Sequence, residues 1–248
     1  MTGAIAVTDD GAVRIIRMNR PEKKNALTRA MYADMSRALR EAEQSDAIRC
    51  VMFAGTAGVF SAGNDIADFL NTADTGLHSP VLEFLHALAQ GKKPIVAAVG
   101  GIAVGVGTTM LLHCDHVVAA SDAMLSTPFL KLALIPEAAS TLLAPMRMGY
   151  ARAFSMLVMG RHLSAAEARE AGLVNTVVDA AEVDVVALQA AREIAALPPG
   201  AVAVARALMR NRLNEVVERI DTEAKHYIQL LQSDEARAAF QAFFARKK

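Results

Sequence analysis

Two turns rich in small residues are the segments of this chain whose backbone groups could most readily take part in chemistry. The first covers residues 60–66 (FSAGNDI) and the second covers residues 100–107 (GGIAVGVG). Both would leave backbone N–H groups unpaired at a surface, and the second leads into a helix start, whose dipole end is positive. Two such donors converging on one point would stabilise an oxyanion. Taken alone, each turn is better explained by the freedom of glycine in tight turns.

Motifs for nucleophilic catalysis, phosphate binding and metal binding are absent or incomplete in this sequence. The chain has no GxSxG elbow and no GxxxxGK[ST] loop, and Gly-Val-Gly at 105–107 lacks the third glycine of GxGxxG. His113 and His116 lie three positions apart, but no third metal ligand has a recognisable spacing. Packed or capping histidines are therefore expected. Cys114 adjoins an apolar run, so burial should suppress its thiolate.

Composition restricts the class of protein. The chain of 248 residues has 26 Lys plus Arg and 26 Asp plus Glu, so its formal charge is zero. That balance argues against a nucleic-acid partner, which needs a basic surplus. The hydrophobic fraction of 53% excludes a disordered chain. Two cysteines at positions 50 and 114 do not suggest a disulfide framework.

Residues 95–112 form an uncharged stretch of membrane-spanning length. Four glycines interrupt it, and a buried strand, a glycine turn and a buried helix explain it better than a membrane span. The first ten residues have no basic region followed by a long apolar run, so no signal peptide is expected. The sequence thus predicts a cytoplasmic protein without a membrane partner.

The elements that must position the two turns alternate between strands and helices. The pattern predicts a hairpin over residues 4–8 and 13–18, a helix to about Gln44, strands at 50–54, 94–99, 117–120 and 124–126, and a helix over 106–114. Strand, strand and helix recur, so the fold class is α/β with repeated small units.

Beyond Pro136 the pattern becomes almost wholly helical. Ser164 and Glu167 fit a capping box, and a last short strand is expected over 174–178. Pro-Pro-Gly at 198–200 breaks the chain before three predicted helices. We therefore divide the chain into a core of residues 1–197 and a helical C-terminal region of residues 198–248. That region is too short to bury much alone and should pack on the core or on a neighbouring subunit.

Together and in this order, the motifs resemble the crotonase superfamily, the enoyl-CoA hydratase and isomerase group, over nearly the full chain. The resemblance is carried by NRP at 19–21 and NAL at 25–27, FSAGNDI at 60–66, KPIVAAVGG at 93–101, Cys-Asp at 114–115 and Ile-Pro-Glu at 135–137. It implies a spiral of strand-strand-helix turns with a helical C-terminal region, usually assembled as trimers or dimers of trimers.

The resemblance also implies the ligand. The substrate would be an acyl-CoA thioester, so that coenzyme A enters as part of the substrate and no separate cofactor or metal is needed. The thioester oxygen would lie between the backbone amides of Asn64 and Val106. Candidate coenzyme A contacts are Ala62, Gly63, Asp65 and Ile66. Lys23 or Lys24 could meet its phosphates, although a solvated charge is the simpler role for each.

Acid–base residues separate the activities within the superfamily. Hydratases carry two glutamates, at positions that here hold Thr109 and Phe129. The pattern of Thr127 to Phe129 followed by Pro136-Glu137 looks instead like the peroxisomal-type 3-enoyl-CoA to 2-enoyl-CoA isomerases, in which the later glutamate is the base. Apolar neighbours should raise the pKa of Glu137. The hypothesis is that Glu137 removes a proton from C2 and returns it at C4.

The sequence is also compatible with other roles for these residues. Without the resemblance, Glu137 reads as a surface charge at a helix start. A hydratase of fatty-acid β-oxidation or another thioester-enolate reaction would keep the two amides, and a non-catalytic acyl-CoA-binding scaffold would keep only the fold. Met124, Phe129, Leu132 and Phe154 are candidates for the acyl pocket, although core packing is the better explanation for each.

Overall fold

Two sheets and eleven helices make up the part of the chain that this computed structural model describes, residues 3–56, 58–70 and 79–245. The strands are β1 Ile5–Asp10, β2 Val13–Met18, β3 Cys50–Ala54, β4 Gly58–Ser61, β5 Ile95–Val99, β6 Gly101–Val104, β7 His116–Ala120, β8 Met124–Ser126, β9 Leu163–Ser164 and β10 Thr176–Val178. The helices are α1 Arg29–Gln44, α2 Ile66–Leu70, α3 Pro80–Gln90, α4 Val106–Thr109, α5 Ser140–Met148, α6 Tyr150–Leu157, α7 Ala165–Glu170, α8 Val183–Ala196, α9 Pro199–Met209, α10 Leu213–Leu231 and α11 Asp234–Ala245. Short 3-10 turns cover Pro21–Lys23, Met110–His113, Phe129–Leu132 and Ala180–Glu182.

The strands are shared between the sheets in alternation. The larger sheet has the order β1-β2-β3-β5-β7-β10, and the smaller has the order β4-β6-β8-β9. Each large-sheet strand from β3 to β7 is followed by a strand of the small sheet, so the chain advances as a spiral. The predicted α/β class and helical C-terminal region are confirmed.

The predicted hairpin is confirmed in register, with Asp10 opposite Val13 across a two-residue loop. Helix α1 begins after Thr28, whose side chain accepts a hydrogen bond from the backbone of Met31, and the Ser164–Glu167 capping box is present. Strands β3 and β5 are buried along their whole length because neighbouring strands and helix α8 cover them.

Three expectations need correction. Residues 60–61 and 101–104, predicted as turn, belong to β4 and β6, which pair in parallel with each other. The predicted helix over 106–114 is four residues of α4 followed by the 3-10 turn Met110–His113. The last strand is confined to Thr176–Val178. Pairing between strands distant in sequence stabilises segments whose own small residues favour turns.

The C-terminal helices contact the rest of the chain through specific groups. On α9, the buried guanidinium of Arg206 pairs with Asp115 at 2.9 Å and donates to the carbonyl of Gly91 at 2.6 Å. Helix α10 packs on α3 and α5, and Phe240 of α11 packs in a cluster with Phe129.

No helix within the described residues is long and apolar enough to cross a membrane. The uncharged stretch at 95–112 contributes β5, β6, α4 and part of the following 3-10 turn to the core, as expected of buried elements.

Candidate active site

The two small-residue turns meet at one edge of the small sheet. Strands β4, β6 and β8 run parallel, so their carboxyl ends lie at the same edge. The chain leaves β4 through Ala62 and Gly63, leaves β6 through Gly105 into α4, and leaves β8 through Thr127. The topology therefore gathers three connecting segments at one place.

Glycine is required where the turns touch. Gly63 has a φ of 84°, in the left-handed region, and a Cβ built on it would lie 2.8 Å from the carbonyl oxygen of Val104. A Cβ on Gly105, whose φ is 57°, would lie 3.9 Å from the Cα of Gly63. The close approach of these glycines brings together the residues that follow them, Asn64 and Val106.

The backbone amides of Asn64 and Val106 are available to a ligand. Val106 is the first residue of α4, so its N–H has no acceptor within the helix. In the described parts of the chain, no backbone carbonyl accepts a hydrogen bond from either amide. Both residues line one cleft, hereafter the amide cleft. Unpaired backbone donors in an apolar cleft can stabilise an oxyanion.

The walls of the amide cleft come from the three connecting segments and from the C-terminal helices. Its lining residues are Ala62, Gly63, Asn64, Ile66, Val104, Gly105, Val106, Pro128, Phe129, Leu132, Leu134, Tyr227, Leu231, Phe240 and Phe243.

Among the predicted coenzyme A contacts, Ala62, Gly63 and Ile66 line this cleft and Asp65 does not. The carboxylate of Asp65 pairs with Arg20 at 2.6 Å and accepts hydrogen bonds from the backbone amides of Ala67 and Asp68 in the first turn of α2. The side chain of Lys24 is exposed, and its backbone carbonyl accepts a hydrogen bond from Ala62 at 2.9 Å. Lys23 is exposed as well.

Glu137 lies in a neighbouring cleft, hereafter the carboxylate cleft. The cleft has mostly apolar walls and shares Tyr227 and Leu231 with the amide cleft. Its lining residues are Arg29, Ser79, Val81, Leu82, Leu85, Glu137, Ala138, Ile220, Ala224, Tyr227, Ile228 and Leu231. Within the described residues, Glu137 is the one acidic residue that lines either cleft.

Burial makes Glu137 a stronger base than an ordinary carboxylate. The residue is 6% exposed, and burial raises its pKa to about 7. The nearby charge of Glu223 adds to the rise, and a hydrogen bond from Asn64 opposes it. A carboxyl group with a pKa near neutrality can both accept and return a proton. The alternative interpretation of Glu137 as a surface charge is wrong.

A strained turn presents Glu137 to its cleft. The two following residues, Ala138 and Ala139, have φ values of 66° and 52°, in the left-handed region. That conformation costs roughly 1–2 kcal/mol for a residue with a Cβ. The Nε2 of His113 holds the turn from the core side, 2.7 Å from the carbonyl oxygen of Ala138.

The positions of the hydratase glutamates hold no acid. Thr109 is buried on α4, and Phe129 forms part of the wall of the amide cleft. Of the other residues considered for an acyl pocket, Leu132 lines the amide cleft, whereas Met124 and Phe154 are exposed and line neither cleft.

Metal and thiol chemistry receive no support from the described residues. No group of three or more potential metal ligands is found among them. His113 is buried and its pKa is lowered to about 4, mainly by desolvation. Burial raises the pKa of Cys114 to about 12, so its thiol stays protonated.

Comparison with known proteins identifies the scaffold. The family model described as enoyl-CoA hydratase/isomerase matches residues 8–248. The chain belongs to the enoyl-CoA hydratase/isomerase family. This membership agrees with the resemblance in the sequence and with the spiral of strand pairs.

Individual members of the family cover the chain to different extents. "Enoyl-CoA delta isomerase 2" from Rattus norvegicus is 35% identical to this chain over 88% of its residues. The match spans 57% of the length of that rat protein. "1,2-epoxyphenylacetyl-CoA isomerase" from Escherichia coli is 34% identical, over 95% of this chain and 93% of its own. The solved structure of an enoyl-CoA hydratase/isomerase from Pseudoalteromonas atlantica superposes with a TM-score of 0.94 at 38% identity, covering 98% of both chains.

In this member of the enoyl-CoA hydratase/isomerase family, three polar groups near Glu137 were not predicted from the sequence. The Tyr32 hydroxyl donates to the side-chain oxygen of Asn64 at 2.5 Å, and Tyr227 lines both the amide cleft and the carboxylate cleft. Burial raises the pKa of both phenols, so they stay neutral. The third group is the buried carboxylate of Glu223.

Proposed function

We propose that the protein is an enoyl-CoA isomerase that moves the double bond of a 3-enoyl-CoA to position 2. The observation that carries the proposal is the buried carboxylate of Glu137, the one acid among the described residues that lines either cleft, in an apolar cleft adjoining the two unpaired amides. An isomerisation transfers one proton within the substrate and consumes no water, so one base is sufficient.

In this mechanism the thioester oxygen accepts hydrogen bonds from the amides of Asn64 and Val106. Deprotonation at C2 pushes negative charge onto that oxygen, and each donor in such a site contributes roughly 3–4 kcal/mol to stabilising it. Glu137 takes the C2 proton, becomes neutral and returns the proton at C4. Its pKa of about 7 suits both steps.

We also propose how the substrate is divided between the clefts. The thioester lies in the amide cleft with coenzyme A near Ala62, Gly63 and Ile66, while the acyl chain passes Tyr227 into the carboxylate cleft. The apolar side chains of Val81, Leu82 and Ile220 there suit a hydrocarbon chain. Coenzyme A arrives with the substrate, and the proposed chemistry uses no separate cofactor.

A second candidate is an isomerase that acts on another acyl-CoA thioester through the same enolate. The Escherichia coli relative named for 1,2-epoxyphenylacetyl-CoA matches nearly the whole of both chains and so favours this candidate. Hydration requires water activation, and the two hydratase positions hold no acid, which weighs against a hydratase.

The test is a substrate panel with product identification by mass spectrometry and chromatography. The purified protein is incubated separately with a 3-enoyl-CoA, a 2-enoyl-CoA and 1,2-epoxyphenylacetyl-CoA. We expect the 3-enoyl-CoA to change retention time at constant mass. Addition of one water to the 2-enoyl-CoA as the main reaction would favour a hydratase, turnover of the epoxide alone would favour the second candidate, and binding without turnover would favour a scaffold.

The quaternary structure is a further part of the proposal. We propose a homotrimer or a dimer of trimers, supported by large apolar side chains that the isolated chain leaves exposed. Tyr150 is 73% exposed, Leu208 is 71% exposed and Met209 is 78% exposed. Exposed apolar surface of this kind is typical of interfaces between subunits.

A further inference from the structure

Glu223 is a buried acid that the proposed mechanism does not use. It lies on α10 and is 3% exposed. Val216 and Ile220 are the other buried residues of that helix, at spacings that place all three on one face. An acid is seldom buried unless it has partners, so its contacts require an explanation.

Those contacts are with the first turn of α5. One carboxylate oxygen of Glu223 accepts hydrogen bonds from the backbone N–H of Thr141 at 3.0 Å and from its hydroxyl at 2.5 Å. The backbone of Ala139 also stabilises the charged form. Arg219, one turn earlier on α10, donates to the same Thr141 hydroxyl at 3.0 Å. A negative charge is favoured at this end of a helix.

The residues just before Thr141 in the chain form the turn that presents Glu137. Ala138 and Ala139 occupy left-handed conformations, which persist only where the surroundings hold them. His113 holds the carbonyl of Ala138, and Glu223 holds the backbone amide and hydroxyl of Thr141, two residues after Ala139. The turn is therefore fixed from the core on one side and from α10 on the other.

We propose that Glu223 is a positioning residue for the base Glu137, because it fixes the turn that carries Glu137 and places a second negative charge beside it. Only the expected effect on turnover rests on the proposed function, and the positioning of Glu137 does not. The second oxygen of Glu223 is buried and has no hydrogen-bond partner within the described residues, so part of its charge is left uncompensated. Like charges in close proximity disfavour double ionisation.

Other charged or titratable groups also surround Glu137. Tyr32 on α1 and Tyr227 on α10 interact with it, and Arg29 lines the same cleft. Arg219 lies near Glu223 and lowers its pKa, although burial raises that pKa overall to about 7. The charge of Glu223 contributes to the raised pKa of Glu137. Neutralising Glu223 should make Glu137 easier to ionise and a weaker base.

The test compares three variants. Glu223→Gln removes the charge but keeps an oxygen that can accept the Thr141 hydrogen bonds, and Glu223→Ala removes both. Glu218→Gln is the matched control, because Glu218 is an exposed glutamate on the same helix. For each protein, kcat and KM for a 3-enoyl-CoA are measured against pH, together with the unfolding temperature.

We expect Glu223→Gln to shift the acidic limb of the kcat profile to lower pH and Glu218→Gln to leave it in place. Glu223→Ala should lower kcat by roughly 10- to 100-fold with little change in KM, because a displaced base slows the proton transfer more than it weakens binding. Variants that only lower the unfolding temperature, with the pH limb and kcat unchanged, would overturn the inference and leave Glu223 a simple helix cap.

A second measurement separates this inference from the proposed function. Glutamate labelled with carbon-13 at its carboxyl carbon reports ionisation by NMR without turnover, and Glu137→Gln assigns the Glu137 signal by its disappearance. The Glu137 titration should move to lower pH in Glu223→Gln even if the 3-enoyl-CoA proves not to be the substrate. An unchanged titration would refute the coupling whatever the activity.

Discussion

The side-chain nitrogen of Asn64 donates a hydrogen bond of 3.5 Å to a carboxylate oxygen of Glu137, 73 positions later in the chain. Asn64 lines the amide cleft, and Glu137 lines the carboxylate cleft. The side-chain oxygen of the same Asn64 accepts the hydroxyl of Tyr32. One asparagine therefore connects the proposed oxyanion donor to the proposed base.

Replacing Asn64 by alanine should shift the acidic limb of the kcat profile to higher pH. The hydrogen bond from Asn64 lowers the pKa of Glu137, so its loss makes the carboxylate harder to ionise. This direction is opposite to the one expected for Glu223→Gln. Steady-state kinetics across the neutral range would measure it.

The same variant should lose stability, because the buried Tyr32 hydroxyl loses an acceptor. An unsatisfied buried polar group costs about 1–3 kcal/mol. Tyr32→Phe in the Asn64→Ala background should recover part of the loss in urea unfolding. A double variant no more stable than Asn64→Ala would show that the hydrogen bond to Tyr32 does not account for the destabilisation.

Gly63→Ala should reduce kcat by roughly 100- to 1,000-fold, the cost of losing an oxyanion donor. The added Cβ would lie 2.8 Å from the carbonyl oxygen of Val104 and must displace the contact between the two turns. Gly200→Ala on α9 is the matched control, since a Cβ there meets nothing within 4 Å. Equal activity of both variants would argue against the two-amide site.

The stability of the protein should also depend on the buried acids. The pKa of Glu137 is raised from 4.5 to about 7, so between these values the folded chain binds more protons than the unfolded chain. This contribution to the free energy of unfolding is therefore lost as pH rises through that window. The pKa of His113 is lowered from 6.5 to about 4, so between these values this group has the opposite effect and offsets part of the Glu137 trend.

Comparison with Glu137→Gln isolates the contribution of Glu137. The stability of the variant relative to the wild type should increase between about pH 5 and about pH 8, as measured by urea unfolding at each pH. The control variant Glu218→Gln, which changes an exposed glutamate, should show no pH-dependent change in stability relative to the wild type. A difference that does not change with pH would mean that Glu137 is not a buried titrating group.

Much of the fold follows from the sequence because local patterns and pairing agree. Helix α1 has its cap at Thr28 and a periodic apolar face, and β3 and β5 are short apolar runs. The sequence does not predict strands β4 and β6, because Gly58 and Gly101 favour turns. The two segments are extended because the two strands pair in parallel.

The sequence predicts some residues of the site and not others, and the difference has a physical reason. Glu137 and the residues of the two turns could be named because their motifs resemble a known superfamily. Tyr32, Glu223 and Tyr227 lie on long helices whose polar residues usually face solvent. One signal was present in the sequence: Glu223 falls on the apolar stripe of α10 defined by Val216 and Ile220, where an acid predicts a buried partner.

The proposed assembly gives a direct prediction for solution mass. Sedimentation equilibrium should give three or six times the chain mass of 26.4 kDa. Apolar side chains such as Leu208 and Met209 should become protected from solvent in the assembly. A stable monomer at micromolar concentration would contradict the assembly while leaving the site chemistry untouched.

The most direct test of single-base isomerisation is the reaction of Glu137→Gln beside the wild type. Both proteins are given a 3-enoyl-CoA, and formation of the conjugated 2-enoyl-CoA is followed with binding measured in parallel. The account predicts conversion at constant mass by the wild type, and binding with a roughly 100- to 10,000-fold lower kcat in the variant. Undiminished isomerisation by Glu137→Gln, with binding intact, would contradict it.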